Sequence, residues 1–136
     1  MSATSRIKYE GSLRTTAIHL QSNNQISTDA PIDNQGNGAL FSPTDLAATS
    51  LGSCMLTVMG IAARDRHIPF ENVECSVTKI MASGPRRISE LHVQVEIDHK
   101  WTIDQKEIME HIALTCPVAN SLHPSIKQMV TFNYSE

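Results

Sequence analysis

Three cysteines could carry redox chemistry in this 136-residue chain: Cys54, Cys75 and Cys116. Cys54 lies in the stretch LGSCM and Cys116 in LTCPV, and their small or uncharged neighbours leave room for a substrate or a second sulfur to approach. Cys75 alternates with Val73 and Val77 and is predicted to pack in the core, because a free cysteine behaves as a small hydrophobic residue. The sequence has no CxxC pair, which excludes a zinc ribbon or a thioredoxin-type motif.

The composition indicates a single domain over residues 1–136, long enough to build a core of its own. The odd number of cysteines, and the lack of an apolar segment among the first residues, favour a reducing compartment, so we expect a cytoplasmic protein. The net charge of -3 and the scattered basic residues indicate no nucleic-acid partner. The charged fraction of 18% is low, which is typical of a chain that hides part of its surface against a second copy.

A long helix is predicted to begin at Pro43, because Ser42 is a good N-cap and Asp45 adds an acidic group to the first turn. It is predicted to end at about Arg66. The uncharged stretch 46–63 is just long enough to span a membrane, but Ala, Gly, Ser and Thr dilute its apolar residues. We therefore expect a buried central helix that is covered on most of its faces, and no membrane partner.

Alternating apolar and polar residues predict strands on both sides of this helix. Residues 6–28 are predicted to form strands, with a hairpin in AIHLQSNNQISTD, and residues 29–42 a long loop. After the helix, ENVECSVTKIMAS and ISELHVQVEIDHKW are expected to pair as an antiparallel hairpin. A second helix capped by Thr102 or Asp104, a short helix in VANSLHPS and a closing strand in KQMVTFNY complete an α+β order.

Two motifs carry a resemblance to a known family. The segment SPTDLAATSLGSCMLTV resembles the signature of the osmotically inducible protein C / organic hydroperoxide resistance (OsmC/Ohr) family, and CPVANSL resembles its second cysteine motif. The order of elements is similar over nearly the whole chain. The resemblance implies an OsmC-like α+β fold, with an antiparallel sheet wrapped around a long central helix, in an intertwined homodimer with two active sites at the subunit interface.

The resemblance also implies an activity: reduction of organic hydroperoxides in oxidative-stress defence, with no metal, flavin or other cofactor. Cys54 would attack the peroxide and become a sulfenic acid, and Cys116 would then condense with it to a disulfide. A dithiol reductant, such as a lipoylated protein or thioredoxin, would restore both thiols. Mostly apolar walls around the site would explain a preference for alkyl hydroperoxides over hydrogen peroxide.

A buried thiol has a raised pKa, so an attacking thiolate needs a cation within reach. Members of the family supply an arginine from the N-terminal region, held by an acidic residue, and Arg14 is the matching candidate here. It could equally be a solvated arginine on a strand. Where the family often has Glu after the proline this chain has Thr44, and Asp45 follows it. Asp45 either holds the arginine or only serves the helix N-terminus.

Two other classes of function remain open from the residues. The change at Thr44 favours a catalytically weak protein of the same fold that binds a small hydrophobic ligand or senses oxidants. A metal-binding module would have to use Cys54, Cys116 and His123, which lack the close spacing of ligand pairs. We therefore expect His123 at the surface or at an interface.

Overall fold

The computed structural model describes residues 1–135, whose contacts group into two compact units, Met1–Ala47 and Ala48–Glu136. The expectation of one domain over the whole chain stays a prediction. The order of strands and helices agrees with the sequence analysis. The elements are β1 Ser5–Gly11, β2 Arg14–His19, β3 Gln25–Asp29, α1 Pro43–Arg66, β4 Glu74–Ala82, β5 Arg87–Ile97, α2 Ile103–Leu114, α3 Pro117–Ser121 and β6 Lys127–Tyr134.

The first unit is an antiparallel sheet in the order β1-β2-β3. Ser12 and Leu13 join β1 to β2 in a tight turn in which both residues have positive φ angles, of 53° and 64°. The predicted hairpin between β2 and β3 is confirmed, with Arg14 opposite Asp29 at its open end. The predicted loop contains one 3-10 turn, Ile32–Asn34.

Helix α1 begins and ends where the sequence indicated, at Pro43 and Arg66. The Asp45 N–H donates to Ser42 Oγ at 3.0 Å, and the Ser42 N–H donates back to Asp45 Oδ2 at 3.0 Å. This reciprocal pair satisfies two backbone donors at the helix N-terminus, and Pro43 needs no partner at the first helical position.

One face of α1 is fully buried within the chain, and the expectation of cover on most faces stays a prediction because it includes a partner subunit. The covered residues recur at intervals of three and four, as expected for one helical face. They are Ala48, Leu51, Gly52, Met55, Met59, Ala62 and Ala63. On another face Ile61 is 56% exposed. By length and composition alone α1 could cross a membrane, although 39% of its most apolar window is buried within the protein.

The sheet of the second unit is mixed, in the order β4-β5-β6. Strands β4 and β5 form the predicted antiparallel hairpin, whereas β5 and β6 are parallel. The expectation of a single antiparallel sheet is therefore wrong. Helices α2 and α3 lie between β5 and β6 in the chain and supply the long connection that parallel neighbours need. As predicted, one face of β5 is buried, through Leu91, Val93, Val95 and Ile97.

Thr102, the first of the two predicted caps, begins α2. Its hydroxyl accepts the Gln105 N–H at 3.1 Å, and the Gln105 side chain accepts the Thr102 N–H at 3.0 Å. The buried positions on this segment are Met109, Ala113 and Cys116. Ile108, one residue before Met109, lies outside this covered face and is 38% exposed.

Helix α1 packs closely against β4 at Gly52, and a substitution there tests this contact. Replacing Gly52 by alanine is expected to lower the free energy of unfolding by about 1–3 kcal/mol. The reason is that the new methyl group would lie 2.8 Å from Val77 Cγ2 and 2.9 Å from Cys75 Sγ. The measurement is urea-induced unfolding followed by circular dichroism.

Gly60→Ala, on the same helix, is the matched control. A methyl group there would meet only the Phe70 ring, at 3.6 Å, which is an ordinary contact. Because alanine is favoured over glycine within helices by about 1 kcal/mol, this variant is expected to be neutral or stabilised. A Gly52→Ala protein as stable as the Gly60→Ala protein would contradict the packing account.

Candidate active site

The second unit brings together the two thiols that the sequence singled out. Cys54 lies in the middle of α1 and Cys116 between α2 and α3, 62 positions later in the numbering, yet the two thiols are close enough for Cys54 to influence the ionisation of Cys116. Both are free thiols, as is Cys75. The arrangement can support thiol–disulfide chemistry, because the sulfur atoms are already neighbours before any bond forms between them.

Cys116 is the more deeply placed of the pair, with 1% of its surface exposed. It is the N-cap of α3, and its sulfur accepts the Ala119 N–H at 3.4 Å. Pro117 occupies the first helical position, where a missing N–H costs no hydrogen bond. The chain turns between α2 and α3, so that the Cys116 sulfur faces backbone N–H groups at the start of α3, which have no partners within that helix.

Several influences act on the Cys116 thiol, and together they raise its pKa above the ordinary value. Burial is the largest, because it disfavours the charged thiolate. The Ala119 N–H opposes it, the Cys54 sulfur raises the pKa further, and the Val118 N–H again lowers it. Cys116 therefore keeps its proton over a wider pH range than an ordinary cysteine.

Cys54 is half-buried on α1, between the covered face of the helix and its exposed side. It packs against the apolar core of the second unit, as do several partly buried side chains near the end of α2, in α3 and directly after α3. Those side chains are Ile112, Val118, Ala119 and Leu122. The surroundings of the thiol pair are therefore mainly apolar, which suits an apolar substrate better than a charged one.

Cys75 packs against the core on β4, as predicted, and is half-buried. Burial raises the pKa of its thiol. The sulfur lies against α1 at Gly52, where no side chain separates the strand from the helix. Its position fits a packing role.

In the first unit Arg14 forms a bidentate ion pair with Asp29. Arg14 Nε donates to Asp29 Oδ1 at 2.7 Å, and Nη2 donates to Oδ2 at 2.8 Å. The Asp29 side chain is 4% exposed and that of Arg14 is 44% exposed. The hydrogen bonds from Arg14 lower the pKa of Asp29, and Asp29 in turn raises the pKa of Arg14. Planar pairing of this kind fixes the orientation of a guanidinium group.

Sequence reasoning missed Asp29, because the acidic partner of Arg14 was sought only at the start of α1. The signal was present in the hairpin. A turn centred between residues 21 and 22 places Arg14 opposite residue 29 on the neighbouring strand. Side chains of directly opposite residues lie on the same face of a sheet, so the charge pair follows from the register.

The other candidates take up local positions. Asp45 accepts the Ser42 N–H at the start of α1, which is one of the two roles left open for it. Thr44 Oγ1 lies 3.3 Å from Ser42 Oγ. His123 is exposed, as expected, and its Nδ1 accepts the Ser125 N–H at 3.0 Å. Residues 1–135 contain no group of three or more His, Cys, Asp or Glu that could hold a metal ion.

Comparison with known proteins gives consistent results. The family model described as OsmC-like protein matches residues 36–130. A crystal structure from Psychrobacter arcticus 273-4, of a protein proposed to be an osmotic stress induced and detoxification response protein, is 53% identical. Its TM-score is 0.94, over 98% of this chain and 97% of that one. No curated protein matches the chain.

Two more distant structures share the fold. An OsmC-like protein from Mycoplasma pneumoniae is 22% identical, with a TM-score of 0.79 over 100% of both chains. An organic hydroperoxide resistance protein OsmC from Legionella pneumophila is 16% identical, with a TM-score of 0.72 over 98% of both chains. At these identities the likeness concerns the fold alone.

The ion pair predicts a pH-dependent loss of stability in Asp29→Asn. Because the pKa of Asp29 is lowered in the folded state, its carboxylate contributes stability at neutral pH, and this is lost as the pH falls through the folded pKa. The variant lacks the contribution at every pH. Its urea midpoint should lie below that of the parent at about pH 7, and the difference should be smaller at about pH 3.

Asp98→Asn provides the control, because Asp98 is exposed in the segment after β5. Its urea midpoints should follow those of the parent at both pH values. A difference between Asp29→Asn and the parent that persists unchanged into acid would show that the ion pair is not its source.

Proposed function

The chain belongs to the OsmC-like family, and we propose that it acts in oxidative-stress defence as an enzyme, a cysteine-based peroxidase that reduces organic hydroperoxides. The observation that carries the proposal is the pair of neighbouring free thiols, Cys54 and Cys116, in mainly apolar surroundings. Two thiols held in contact can be oxidised to a disulfide and reduced again without a large movement of the chain.

The proposed reaction has two steps in which atoms and electrons balance. The Cys54 thiolate attacks one peroxide oxygen, the O–O bond breaks, and the alkoxide takes a proton and leaves as an alcohol. Cys54 is then a sulfenic acid. In the second step the Cys116 sulfur attacks the Cys54 sulfur, water leaves, and a disulfide forms. A dithiol, provided by a lipoylated protein or thioredoxin, supplies the two electrons that restore the thiols.

Exposure and charge support these roles for the two cysteines. Cys54 is half-buried, so a peroxide can reach it more readily than Cys116, of which 1% is exposed. The raised pKa of Cys116 keeps it a thiol, whereas the attacking group must be a thiolate. Cys116 is therefore better suited to resolve the sulfenic acid than to attack the peroxide.

We propose that Arg14 supplies the positive charge that favours the Cys54 thiolate. Its bidentate pair with Asp29 supports the proposal, because the pair holds the guanidinium in one orientation. Asp29 would then do what the acidic residue after the proline does elsewhere in the family, where this chain has Thr44. Asp45 would contribute to the helix N-terminus through Ser42.

We also propose that the protein works as a homodimer in the cytoplasm. Ile7 and Ile26 lie in one row across the first sheet, each opposite Ala17, and are 64% and 49% exposed. Tyr9, two residues along on the same face, is 62% exposed. A partner subunit would cover this apolar surface. A sedimentation mass equal to the single-chain mass of 15.0 kDa, rather than twice that mass, would reject the dimer.

A peroxide titration tests the activity. Reduced protein treated with less than an equivalent of cumene hydroperoxide should form a Cys54–Cys116 bridge, detected by non-reducing mass spectrometry, and should turn over when a dithiol is added. Cys54→Ser should lower turnover by at least about a hundredfold, because the nucleophile is lost. Cys116→Ser should accumulate a sulfenic acid that dimedone can trap.

Cys75→Ser is the matched control, since it removes a thiol that is outside the proposed pair, and it should retain turnover. Slow oxidation of the parent without turnover would reject the peroxidase. That result would favour the alternative, a protein of the same fold that binds a small hydrophobic ligand or senses oxidants.

The arginine can be tested separately from the cysteines. Arg14→Ala should shift alkylation of Cys54 to higher pH and slow its oxidation by about tenfold, because a charge-assisted interaction is lost. Asp29→Asn should have an effect in the same direction. Asp45→Asn should leave the kinetics unchanged if it serves only the helix.

Arg6→Ala, on the neighbouring strand β1, removes an equal charge from an exposed position and is the control. Identical alkylation profiles for Arg14→Ala and Arg6→Ala would remove Arg14 from the site. A slower rate in Asp45→Asn than in Asp29→Asn would return the orienting role to Asp45.

A further inference from the structure

Gln128 is a polar residue at an apolar position. It is half-buried on β6 in a row that continues with Val130, Phe132 and Tyr134, all of which pack against the core. In the parallel ladder its neighbour on β5 is Leu91, which is fully buried. An amide at such a position is costly unless its hydrogen bonds are satisfied.

The Gln128 side chain satisfies a carbonyl group in α3. Its Nε2 donates to the Ala119 carbonyl at 3.1 Å. Helix α3 has five residues, too few for its backbone bonds alone to hold it, and its last carbonyls lack partners within the helix. Most side-chain bonds of this segment are local, such as Asn120 Nδ2 to the Thr115 carbonyl. The bond from Gln128 comes from another element and ties α3 to the sheet.

The same residue, Ala119, also contacts the thiol site. Its N–H donates to the Cys116 sulfur while its carbonyl accepts from Gln128. We propose that Gln128 is a positioning residue that holds the Ala119 N–H against the Cys116 sulfur and so stabilises the thiolate of Cys116. Gln128 does not touch the sulfur itself. It acts through one alanine whose two backbone groups face in different directions.

Gln128 would also influence reduction of the Cys54–Cys116 disulfide, a role that rests on the proposed function. When a dithiol attacks the Cys54 sulfur of the disulfide, Cys116 leaves as a thiolate, and the Ala119 N–H stabilises this leaving group. When the disulfide forms, Cys116 loses its proton, the S–O bond of the Cys54 sulfenic acid breaks and water leaves. Gln128 would thus make the disulfide easier for a dithiol to reduce.

The first experiment isolates Cys116 by replacing Cys54 and Cys75 with serine, which also removes the one titratable side chain that acts on this thiol among the described residues. Thiolate absorbance is then followed against pH. Adding Gln128→Met should reduce the thiolate fraction below the midpoint by about threefold, since one charge-assisted bond is weakened. Gln94→Met, at an exposed position on β5, is the matched control and should leave the curve unchanged.

The proposal would be overturned if the titration curve of Gln128→Met stayed at that of its parent. It would also be overturned if Gln128→Met and Gln94→Met both moved from the parent curve by the same amount. The titration contains no peroxide and no Cys54, so its outcome is independent of whether the protein is a peroxidase. A failed peroxide assay with a shifted Gln128→Met curve would reject the proposed function and keep the positioning role.

A second measurement needs no change at Gln128 and stands even if Gln128→Met does not fold. In the variant with Cys116 as its single cysteine, the NMR signals of the Ala119 N–H and of the Gln128 side-chain amide are followed against pH. The chemical shifts of both groups should change with the same midpoint as the Cys116 titration, because Ala119 is hydrogen-bonded to both the sulfur and the Gln128 amide. A Gln128 amide that stays fixed while the Ala119 N–H moves would overturn the proposal.

Discussion

The proximity of the Cys54 and Cys116 thiols is the constraint on which the rest of the site depends. It joins the middle of a long helix to a break between two shorter ones, so neither thiol can be placed without the packing of the other's helix. The apolar core of the second unit holds α1 and α2 in place, and Pro117 ends one helix and begins the next at the required point. Packing therefore brings the thiols together, whereas backbone donors and burial set how readily Cys116 ionises.

The two units hold their charges in different ways. In the first unit Arg14 forms a bidentate pair with Asp29, and in the second the Cys116 thiol is influenced by backbone N–H groups and by the Cys54 sulfur. An apolar environment strengthens any electrostatic interaction that reaches it, so few charges are needed to favour a thiolate. It also raises the pKa of a buried thiol, as it does at Cys116. Gln128 belongs to the same scheme, as a polar group that orders the backbone around a sulfur.

Features that depend on adjacent residues could be predicted from the sequence, whereas features that depend on residues far apart in the chain could not. The bounds of α1 and its cap at Ser42 were predictable, because capping and proline placement depend on adjacent residues. The parallel pairing of β6 with β5 was not, because alternation shows a strand but not its neighbour. The Arg14–Asp29 pair required the register of a hairpin, and the bond from Gln128 to Ala119 required the position of a short helix. The register follows from the turn of the predicted hairpin, whereas the position of α3 beside β6 is a tertiary fact that no local pattern encodes.

The central claim is that the Cys54 thiol reacts with an apolar peroxide in a site built for it. Stopped-flow oxidation of the reduced protein by an alkyl hydroperoxide and by hydrogen peroxide tests it most directly. Burial of several methylene groups of the substrate predicts a second-order rate constant at least about tenfold higher for the alkyl hydroperoxide. Equal rate constants, or faster oxidation by hydrogen peroxide, would contradict the account.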